Sequence, residues 1–214
     1  MSLGFEKSGF NIVAAIDNWK AATRVYAMNF DHPVIEQDLL DVDKAVELIS
    51  VYAPDLIIGG PPCQDFSTAG YQDENRGRAI LSVSYSKIVS KVKPQYFVME
   101  NVATIRNTIS FRNAIANFHE AGYGLTQMVL DAAYCGVPQT RKRMFVVGML
   151  GGVDGFLDEE LHRNLAPKPM SIHDYLGDSL GIDYYFRIPT NYNRRGVFSV
   201  YEPSMTIRAV DRPI

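Results

Sequence analysis

Apolar residues fall along the chain in short runs, separated by longer segments in which they recur at helical spacing. The runs occupy residues 11–17, 55–60, 95–100, 125–132 and 144–149, and turn residues bound them. Uninterrupted runs of this length predict strands, several of them buried on both faces. Helical spacing predicts helices at 19–30, 42–52, 80–92 and 111–121, with Gly122 closing the last.

This alternation predicts an α/β fold with a doubly wound, mostly parallel sheet. The pattern breaks after Gly151-Gly152, where a stretch rich in Pro, Asp and Tyr begins. Only short helical patterns follow, such as the one at 171–176, and the chain ends in a basic segment with interleaved aromatic residues. We therefore predict one domain over 1–150 and an appended region over 151–214.

Composition narrows the class of protein without naming a function. With 214 residues and 47% apolar side chains, the chain can bury one sizeable core. It contains no apolar stretch long enough to span a bilayer and no basic-then-apolar start, so we expect a soluble, cytoplasmic protein. Two cysteines fit a reducing compartment, and we predict no metal site. The net charge of −3 neither favours nor excludes a nucleic-acid partner, because positive charge can gather on one face.

Polar residues stand at the carboxyl ends of three predicted strands. Asp17 ends the first, Gly60 and Pro61 follow the second, and Glu100 ends the third. Ligands of doubly wound sheets bind beyond these strand ends. The sequence therefore predicts that three strands point polar groups into one crevice.

Cys63 follows Pro61 and Pro62, which restrict the backbone and so fix the approach of its thiol. Nearby helix amides would favour the thiolate, whereas the alternative is a buried structural cysteine. The four histidines are scattered, and none lies near Cys63 in sequence, so a papain-like hydrolase is disfavoured. We infer that the thiol attacks a substrate that is activated in another way.

Three charged residues are candidates to act beside this thiol. Glu100 ends an apolar strand, where a partly desolvated carboxyl can hold a proton at neutral pH, although many strand-end glutamates are simply solvated. Arg141 and Arg143 alternate with Lys142, so both arginines point to the same face. A basic run of this kind is also typical of a solvated strand start or a phosphate contact.

Two aspartates are candidates to bind a nucleotide-like ligand. An acidic residue at the position of Asp17 commonly binds ribose hydroxyls in nucleotide-binding sheets. Asp38 is a second candidate at the crevice, and helix capping is its equally simple alternative.

Three segments of the chain carry a resemblance to a known family. Pro61-Pro-Cys-Gln-Asp-Phe-Ser67, Glu100-Asn-Val102 and Gln139-Thr-Arg-Lys-Arg143 stand in the order and spacing of three motifs of the cytosine-5 DNA methyltransferases. The chain thus resembles the bacterial restriction-modification members of that family. This implies a Rossmann-like, S-adenosylmethionine-dependent methyltransferase fold, and duplex DNA as the partner.

The resemblance also implies roles for individual residues. Cys63 would attack carbon 6 of a flipped-out cytosine, Glu100 would hold the ring nitrogen and exocyclic amine, and Arg143, helped by Arg141, would hold the ring carbonyl. Asn101 would brace the loop that Pro62 and Gln64 shape. The supporting residues of these motifs are Pro61, Gln64, Ser67, Asn101 and Gln139. For the cofactor, the resemblance implies Asp17 on the ribose, Asp38 on the adenine amine, and a pocket wall of Gly60, Pro62 and Leu81. No metal is implied.

The chain departs from the family pattern at both ends. It begins just beyond the family's first strand and glycine-rich turn, and after Pro213 it lacks the last two motifs. We therefore interpret 1–150 as a catalytic domain without that strand and turn, and 151–214 as a linker and the start of a target-recognition region. Two explanations of these departures stay open: a fragment, and one subunit of a split enzyme whose partner supplies the missing motifs. Two alternatives for the function also stay open: a non-catalytic DNA- or partner-binding relic of the fold, and a tRNA cytosine-5 methyltransferase.

Overall fold

Helices and strands alternate through the first 150 residues. The computed structural model describes residues 1–62, 80–187 and 196–206. The helices are α1 (Ser2–Lys7), α2 (Lys20–Ala27), α3 (Val42–Ser50), α4 (Ile80–Val92), α5 (Ile109–Glu120), α6 (Asp158–Asn164) and α7 (Ile172–Leu176). The strands are β1 (Ala15–Asp17), β2 (Val34–Glu36), β3 (Leu56–Gly59), β4 (Tyr96–Val102), β5 (Tyr123–Asp131), β6 (Gln139–Thr140), β7 (Lys142–Leu150), β8 (Tyr184–Phe186), β9 (Val197–Ser199) and β10 (Ser204–Met205).

The central sheet has the strand order β3-β4-β7-β5. Its β3 and β4 run parallel, with Leu56 opposite Tyr96 and Gly59 opposite Met99. A second parallel pair joins β1 to β2, and among the described residues no hydrogen-bonded strand links this pair to the central sheet. Parallel pairing also joins β6 to β10, whereas β8 and β9 are antiparallel.

Local side chains explain where several helices begin and end. The Asp41 carboxylate accepts a hydrogen bond from the Lys44 amide at the start of α3, and the Thr108 hydroxyl accepts one from the Phe111 amide at the start of α5. Ser171 and Asp174 form a reciprocal capping box on α7. Gly122 follows α5 with φ +94°, a left-handed conformation that favours glycine.

The core beside the central sheet is built around aromatic rings. Phe97 of β4 and Phe118 of α5 are fully buried and stack with ring centroids 4.0 Å apart. The Tyr123 ring meets Phe97 edge-on at 5.1 Å. Gly148 makes this packing possible, because a Cβ at that position would lie 2.0 Å from the Phe97 ring.

The chain divides into two compact units. Unit 1 comprises Met1–Met128 and Met144–Phe156, and it contains most of the central sheet and the aromatic core. Unit 2 comprises Val129–Arg143 and Leu157–Ile214. In unit 2, Ala133, Phe198 and Val200 are buried, and the β8–β9 hairpin stacks Tyr185 on Phe198 at 5.6 Å. We predicted a domain boundary at residue 150, followed by a linker and the start of a recognition region, and this stays a prediction.

The predicted α/β fold with a mostly parallel sheet is confirmed, and α4 occupies its predicted residues. Several strand boundaries were wrong: β1 begins only at Ala15, β4 continues past Glu100 to Val102, β5 already begins at Tyr123 and β7 at Lys142. The helix α1 was not predicted, and neither were the strands β2, β6, β8, β9 and β10. Strands of two or three residues are too short to show a periodic pattern. Within the described ranges, no helix is both long and apolar enough to cross a membrane.

Candidate active site

The carboxyl ends of β3 and β4 lie side by side in unit 1. Because Gly59 pairs with Met99, Glu100 is the first residue of β4 beyond the end of β3. A Cβ on Gly60 would lie 3.3 Å from Oε2 of Glu100 and 3.4 Å from Cε of Met1. The half-buried Glu100 carboxylate therefore approaches the Gly60 backbone, where the absence of a side chain leaves it room.

Asn101 ties the end of β4 to the segment that follows β3. Its side-chain Nδ2 donates a hydrogen bond of 2.9 Å to the Pro61 carbonyl oxygen, and its Oδ1 accepts one from the Val102 amide. Asn101 is only 4% exposed, so both bonds are shielded from water. The Pro61-Pro62 segment, which leads directly into Cys63, is thereby held against the Glu100 strand.

Three predicted site residues, Cys63, Gln64 and Ser67, lie outside the described residues. Their roles stay predictions. The structure does describe the two residues that precede the thiol, Pro61 and Pro62.

A cavity of about 730 Å³ lies along β1 and β3 and reaches their carboxyl ends at Asp17 and Gly59. It falls within the usual range for small-ligand sites, roughly 300–1,000 Å³. All five residues predicted to bind a cofactor contribute to its lining, together with Pro61; the five are Asp17, Asp38, Gly60, Pro62 and Leu81. Much of the remaining wall is apolar and includes Ile16, Ile57 and Tyr85.

Asp17 and Asp38 are exposed residues at the wall of this cavity. Oδ1 of Asp17 accepts a hydrogen bond of 2.8 Å from the Trp19 amide, and Oδ1 of Asp38 accepts one of 3.0 Å from the Leu40 amide. These bonds orient both carboxylates. Neither Oδ2 atom has a hydrogen-bond partner within the described part of the chain, so each carboxylate retains an oxygen for a ligand hydroxyl or amine.

Two strand edges also line the cavity. β1 and β3 both contribute to the wall. Each of them pairs with another strand on one side, β1 with β2 and β3 with β4. In the part of the chain that the structure describes, no strand pairs with the other edge of either. The cavity thus lies along the unpaired backbones of two edge strands as well as the two carboxylates.

The segment Gln139 to Arg143 is held by Asp131 within unit 2. Oδ1 of Asp131 accepts hydrogen bonds from the Arg141 amide at 2.9 Å and the Ala133 amide at 3.3 Å. The Ala132 amide donates to the Arg141 carbonyl oxygen, which closes the connection from β5 back to β7.

Exposure alternates along this basic segment. Arg141 and Arg143 are half-buried, whereas Lys142 between them is exposed. The pattern agrees with two arginines on one face and a lysine on the other. One Arg143 nitrogen donates to the Lys142 carbonyl oxygen at 2.8 Å, and the half-buried Gln139 lies on β6, paired with β10.

The second cysteine, Cys135, is an exposed free thiol. Partial burial raises the pKa of the Cys135 thiol, and the nearby Asp131 carboxylate raises it further. Because a thiol reacts as the thiolate, Cys135 is poorly suited to be a nucleophile.

Sequence reasoning missed two residues that hold the site segments. The Tyr85 hydroxyl bonds to the backbone of β3 and β4. Nothing in the sequence distinguishes Tyr85 from other aromatic residues on the apolar face of a helix. Asp131 ends β5, so the strand-end rule that selected Asp17 and Glu100 could have selected it too. Within the described ranges, no group of three or more His, Cys, Asp or Glu side chains is placed to hold a metal ion.

Comparison with known proteins identifies the class to which this fold and site belong. A family model described as C-5 cytosine-specific DNA methylase matches residues 1–195. Type II methyltransferase M.HindV of Haemophilus influenzae is 52% identical over 214 residues, covering all of this chain and 70% of the relative. Type II methyltransferase M.HgiDI of Herpetosiphon aurantiacus is 51% identical over 214 residues, covering all of this chain and 69% of the relative.

Solved structures share the fold. A protein described as a DNA modification methyltransferase encoded within an E. coli prophage superposes with a TM-score of 0.65 at 24% identity, covering 91% of this chain and 58% of that one. The chain belongs to the C-5 cytosine-specific DNA methylases. Its enzyme class is DNA cytosine-5-methyltransferase, and its relatives are of the restriction-modification type.

Proposed function

We propose that this chain carries the catalytic residues that methylate carbon 5 of a cytosine flipped out of duplex DNA, through a covalent adduct with Cys63. The observation that carries the proposal is the hydrogen bond from Asn101 to the Pro61 carbonyl oxygen, beside the close approach of Glu100 to Gly60. These contacts bring the segment leading into Cys63 next to Glu100, so a thiol and a carboxyl can address one pyrimidine ring.

The chemistry requires both groups, because carbon 6 of cytosine is a poor electrophile. Glu100 donates a proton to the ring nitrogen as the Cys63 thiolate forms a bond to carbon 6, which leaves a neutral enamine instead of a carbanion. Carbon 5 of that enamine is nucleophilic and accepts a methyl group. A water molecule then removes the carbon-5 proton, which expels the thiolate, and the ring nitrogen returns its proton to Glu100 as the aromatic ring is restored.

The two arginines supply fork-shaped donors for the ring carbonyl of the base. Arg143 is assigned to the carbonyl oxygen and Arg141 to support it. Their half-buried position supports this role, since a guanidinium that is shielded from water binds an oxygen more strongly than one on an open surface. The hydrogen bond that the Arg141 amide donates to Asp131 would keep the segment in place during base binding.

The cavity lined by β1 and β3 fits S-adenosylmethionine in size and chemistry. The Oδ2 atoms of Asp17 and Asp38 would accept hydrogen bonds from the ribose hydroxyls and the adenine amine, while Gly60, Pro62 and Leu81 would form the wall. When bound, this cofactor supplies an activated methyl group on a sulfonium. The chain's own contribution is to orient it and to exclude water from the carboxyl ends of the strands.

Duplex DNA is the proposed partner, and the base must leave the helix because stacking covers both faces of its ring. Bacterial DNA lies in the cytoplasm, so the protein would act at the nucleoid. Residues 151–214 are proposed to be a linker and the start of the recognition region, and a second polypeptide could supply further recognition elements.

Two experiments test this function. The first is calorimetry of S-adenosylmethionine binding to the 214-residue chain, with an Asp17→Asn, Asp38→Asn double variant as the control. Binding in the micromolar range that the double variant loses would support the cofactor site. No binding to the wild-type chain would mean that the cavity is incomplete without another segment, and fragments of the full-length relatives would then be added.

The second experiment incubates the chain and labelled cofactor with unmethylated bacteriophage DNA and, in parallel, with tRNA, followed by nucleoside mass spectrometry. We expect 5-methyldeoxycytidine from DNA and no methylated tRNA. Fragments containing 5-fluorocytosine should become covalently attached to the wild-type protein, because fluorine cannot leave as the carbon-5 proton does. Cys63→Ser should abolish both results while leaving cofactor binding nearly unchanged; retained turnover in that variant would overturn the mechanism.

A further inference from the structure

Tyr85 of α4 reaches across the two strands that lead into the site. Its hydroxyl lies 3.2 Å from the Ile57 carbonyl oxygen of β3 and 3.0 Å from the Val98 carbonyl oxygen of β4, and it donates to both. Tyr85 is 4% exposed, so this shared bond is shielded from water. One side chain therefore connects the two neighbouring strands on the approach to Gly60 and Glu100.

The Tyr85 ring interlocks with the last residue of β3. A Cβ on Gly59 would lie 2.3 Å from Cε2 of the ring, which is closer than any two such carbons can approach. The ring therefore occupies the space that a side chain at Gly59 would need. Burial also raises the pKa of Tyr85 far above the physiological range, so the phenol stays a donor.

From this geometry we infer that Tyr85 is a positioning residue for the proposed reaction, and that its hydroxyl sets the spacing between the Gly60-Pro61 segment and Glu100-Asn101. Ile57 precedes Gly60 by three residues, and Val98 precedes Glu100 by two. A shift of either strand therefore moves the Gly60-Pro61 segment, which leads to Cys63, or the Glu100 carboxyl. This inference rests on the proposed function.

Tyr123 provides a matched control within the same core. It is also 4% exposed, its ring contacts Phe97, and its hydroxyl donates a hydrogen bond of 2.7 Å to a backbone carbonyl oxygen. That carbonyl belongs to Pro94, which precedes β4 at the end of the strand away from Glu100. Removal of this hydroxyl should loosen the core without moving the strand ends of the site.

The test compares Tyr85→Phe with Tyr123→Phe, each of which keeps its ring and loses only a hydroxyl. Amide hydrogen exchange is measured by mass spectrometry on the free chain. For Tyr85→Phe we expect exchange to rise selectively in peptides covering 56–62 and 99–102, by roughly tenfold. For Tyr123→Phe we expect faster exchange near 93–96 and 120–124, with 99–102 unchanged. A uniform rise throughout unit 1 in both variants, or none in Tyr85→Phe, would overturn the inference.

The catalytic readout is the rate of adduct formation with 5-fluorocytosine DNA, divided by the number of protein molecules that become trapped. A variant that only lowers the folded fraction traps fewer molecules but leaves the rate per trapped site unchanged. Misplacement of reacting groups instead lowers the rate, here by roughly ten- to a hundredfold in Tyr85→Phe, with Tyr123→Phe within about twofold of wild type. Placing 4-aminophenylalanine at position 85 restores a donor and should recover much of the rate. An unchanged rate per site in Tyr85→Phe would overturn the inference.

The two hypotheses can fail separately. If the wild-type chain neither methylates nor becomes trapped on DNA, the proposed function fails, and the catalytic part of the inference fails with it. Hydrogen exchange still decides whether Tyr85 holds the two strand ends together.

Discussion

Two regions of this molecule carry the predicted catalytic residues, and they are held in different ways. In unit 1, the ends of β3 and β4 are held by close packing: Tyr85 fills the space beside Gly59, and Glu100 approaches Gly60. In unit 2, the segment Gln139 to Arg143 is held by backbone hydrogen bonds: the Arg141 amide donates to the Asp131 carboxylate, and the Arg141 carbonyl oxygen accepts from the Ala132 amide. The first region should thus be most sensitive to added volume, and the second to the loss of an acceptor.

The largest effect is expected from adding a methyl group at Gly59. Gly59→Ala forces its Cβ against the Tyr85 ring, and overpacking of this kind lowers the free energy of unfolding by about 1–3 kcal/mol, with the upper end expected here. Denaturant unfolding measures it. Gly4→Ala is the matched control, because its Cβ meets nothing within 4 Å and it lies in helix α1, where alanine is favoured. Equal stability of the two variants would contradict the packing account.

Removal of the Asn101 amide should have the next largest effect. Asn101→Ala leaves the Pro61 carbonyl oxygen without this donor in a shielded site, a change that costs about 1–3 kcal/mol of stability. Adduct formation should fall as well, since the segment before Cys63 is released. Asn101→Asp keeps the shape but cannot donate when ionised, so we expect it to behave like the alanine variant in both measurements. Wild-type behaviour of Asn101→Asp would show that the donor is not what matters.

A smaller effect is expected for the corresponding change in unit 2. Asp131→Ala removes the acceptor for two backbone amides and should cost about 1–2 kcal/mol, near the upper range for a lost cap. Asp131→Asn retains an acceptor oxygen and should recover most of the loss. Thermal unfolding compares the three proteins. If the asparagine variant is as unstable as the alanine variant, the negative charge and not the acceptor geometry holds the segment.

Gly60→Ala separates activity from stability. Its Cβ would lie 3.3 Å from Oε2 of Glu100 and 3.4 Å from Cε of Met1, so a flexible methionine and a carboxylate must give way slightly. We expect less than about 1 kcal/mol of lost stability. Adduct formation should slow by roughly tenfold, because Glu100 is displaced from the base. A greater loss of stability than in Gly59→Ala would reverse this ranking.

The smallest expected effect is a pH dependence of stability, to which Asp43 contributes in unit 1 and Asp174 in unit 2. Lys91 lowers the pKa of Asp43 in unit 1, and the bonds from Ser171 lower the pKa of Asp174 in unit 2. Because each pKa is depressed on folding, the stabilisation is present above the ordinary value of 3.8 and is lost as the pH falls through the folded pKa. The melting temperature of Asp43→Asn should thus lie below that of wild type near neutral pH, and the two should converge as the pH falls through the lowered pKa of Asp43. Salt should weaken the Asp43 contribution more than that of Asp174, since only the first depends mainly on an ion pair.

The sequence was most informative where local pattern and chemistry coincide. The alternation of apolar runs and helical spacing predicted the α/β fold, and the bounds of α4 were correct because a long periodic segment flanked by strands leaves little choice. The strand-end rule selected Asp17 and Glu100, and the three motifs led to the family that the comparisons confirm. The sequence could not predict strands as short as β2 or β6, because their pairing depends on a partner distant in sequence.

By itself, the sequence determined the fold class, the family and the set of residues able to do the proposed chemistry, because these depend on periodicity and on residue type at set spacing. Only the tertiary structure decided how the described residues of that set are held: Asn101 on the Pro61 carbonyl oxygen, Tyr85 beneath Gly59, and Asp131 on the Arg141 amide. The reason is physical. Each of these contacts joins two different segments of the chain, so its distance and direction arise only when strands and helices pack, and no local pattern records them.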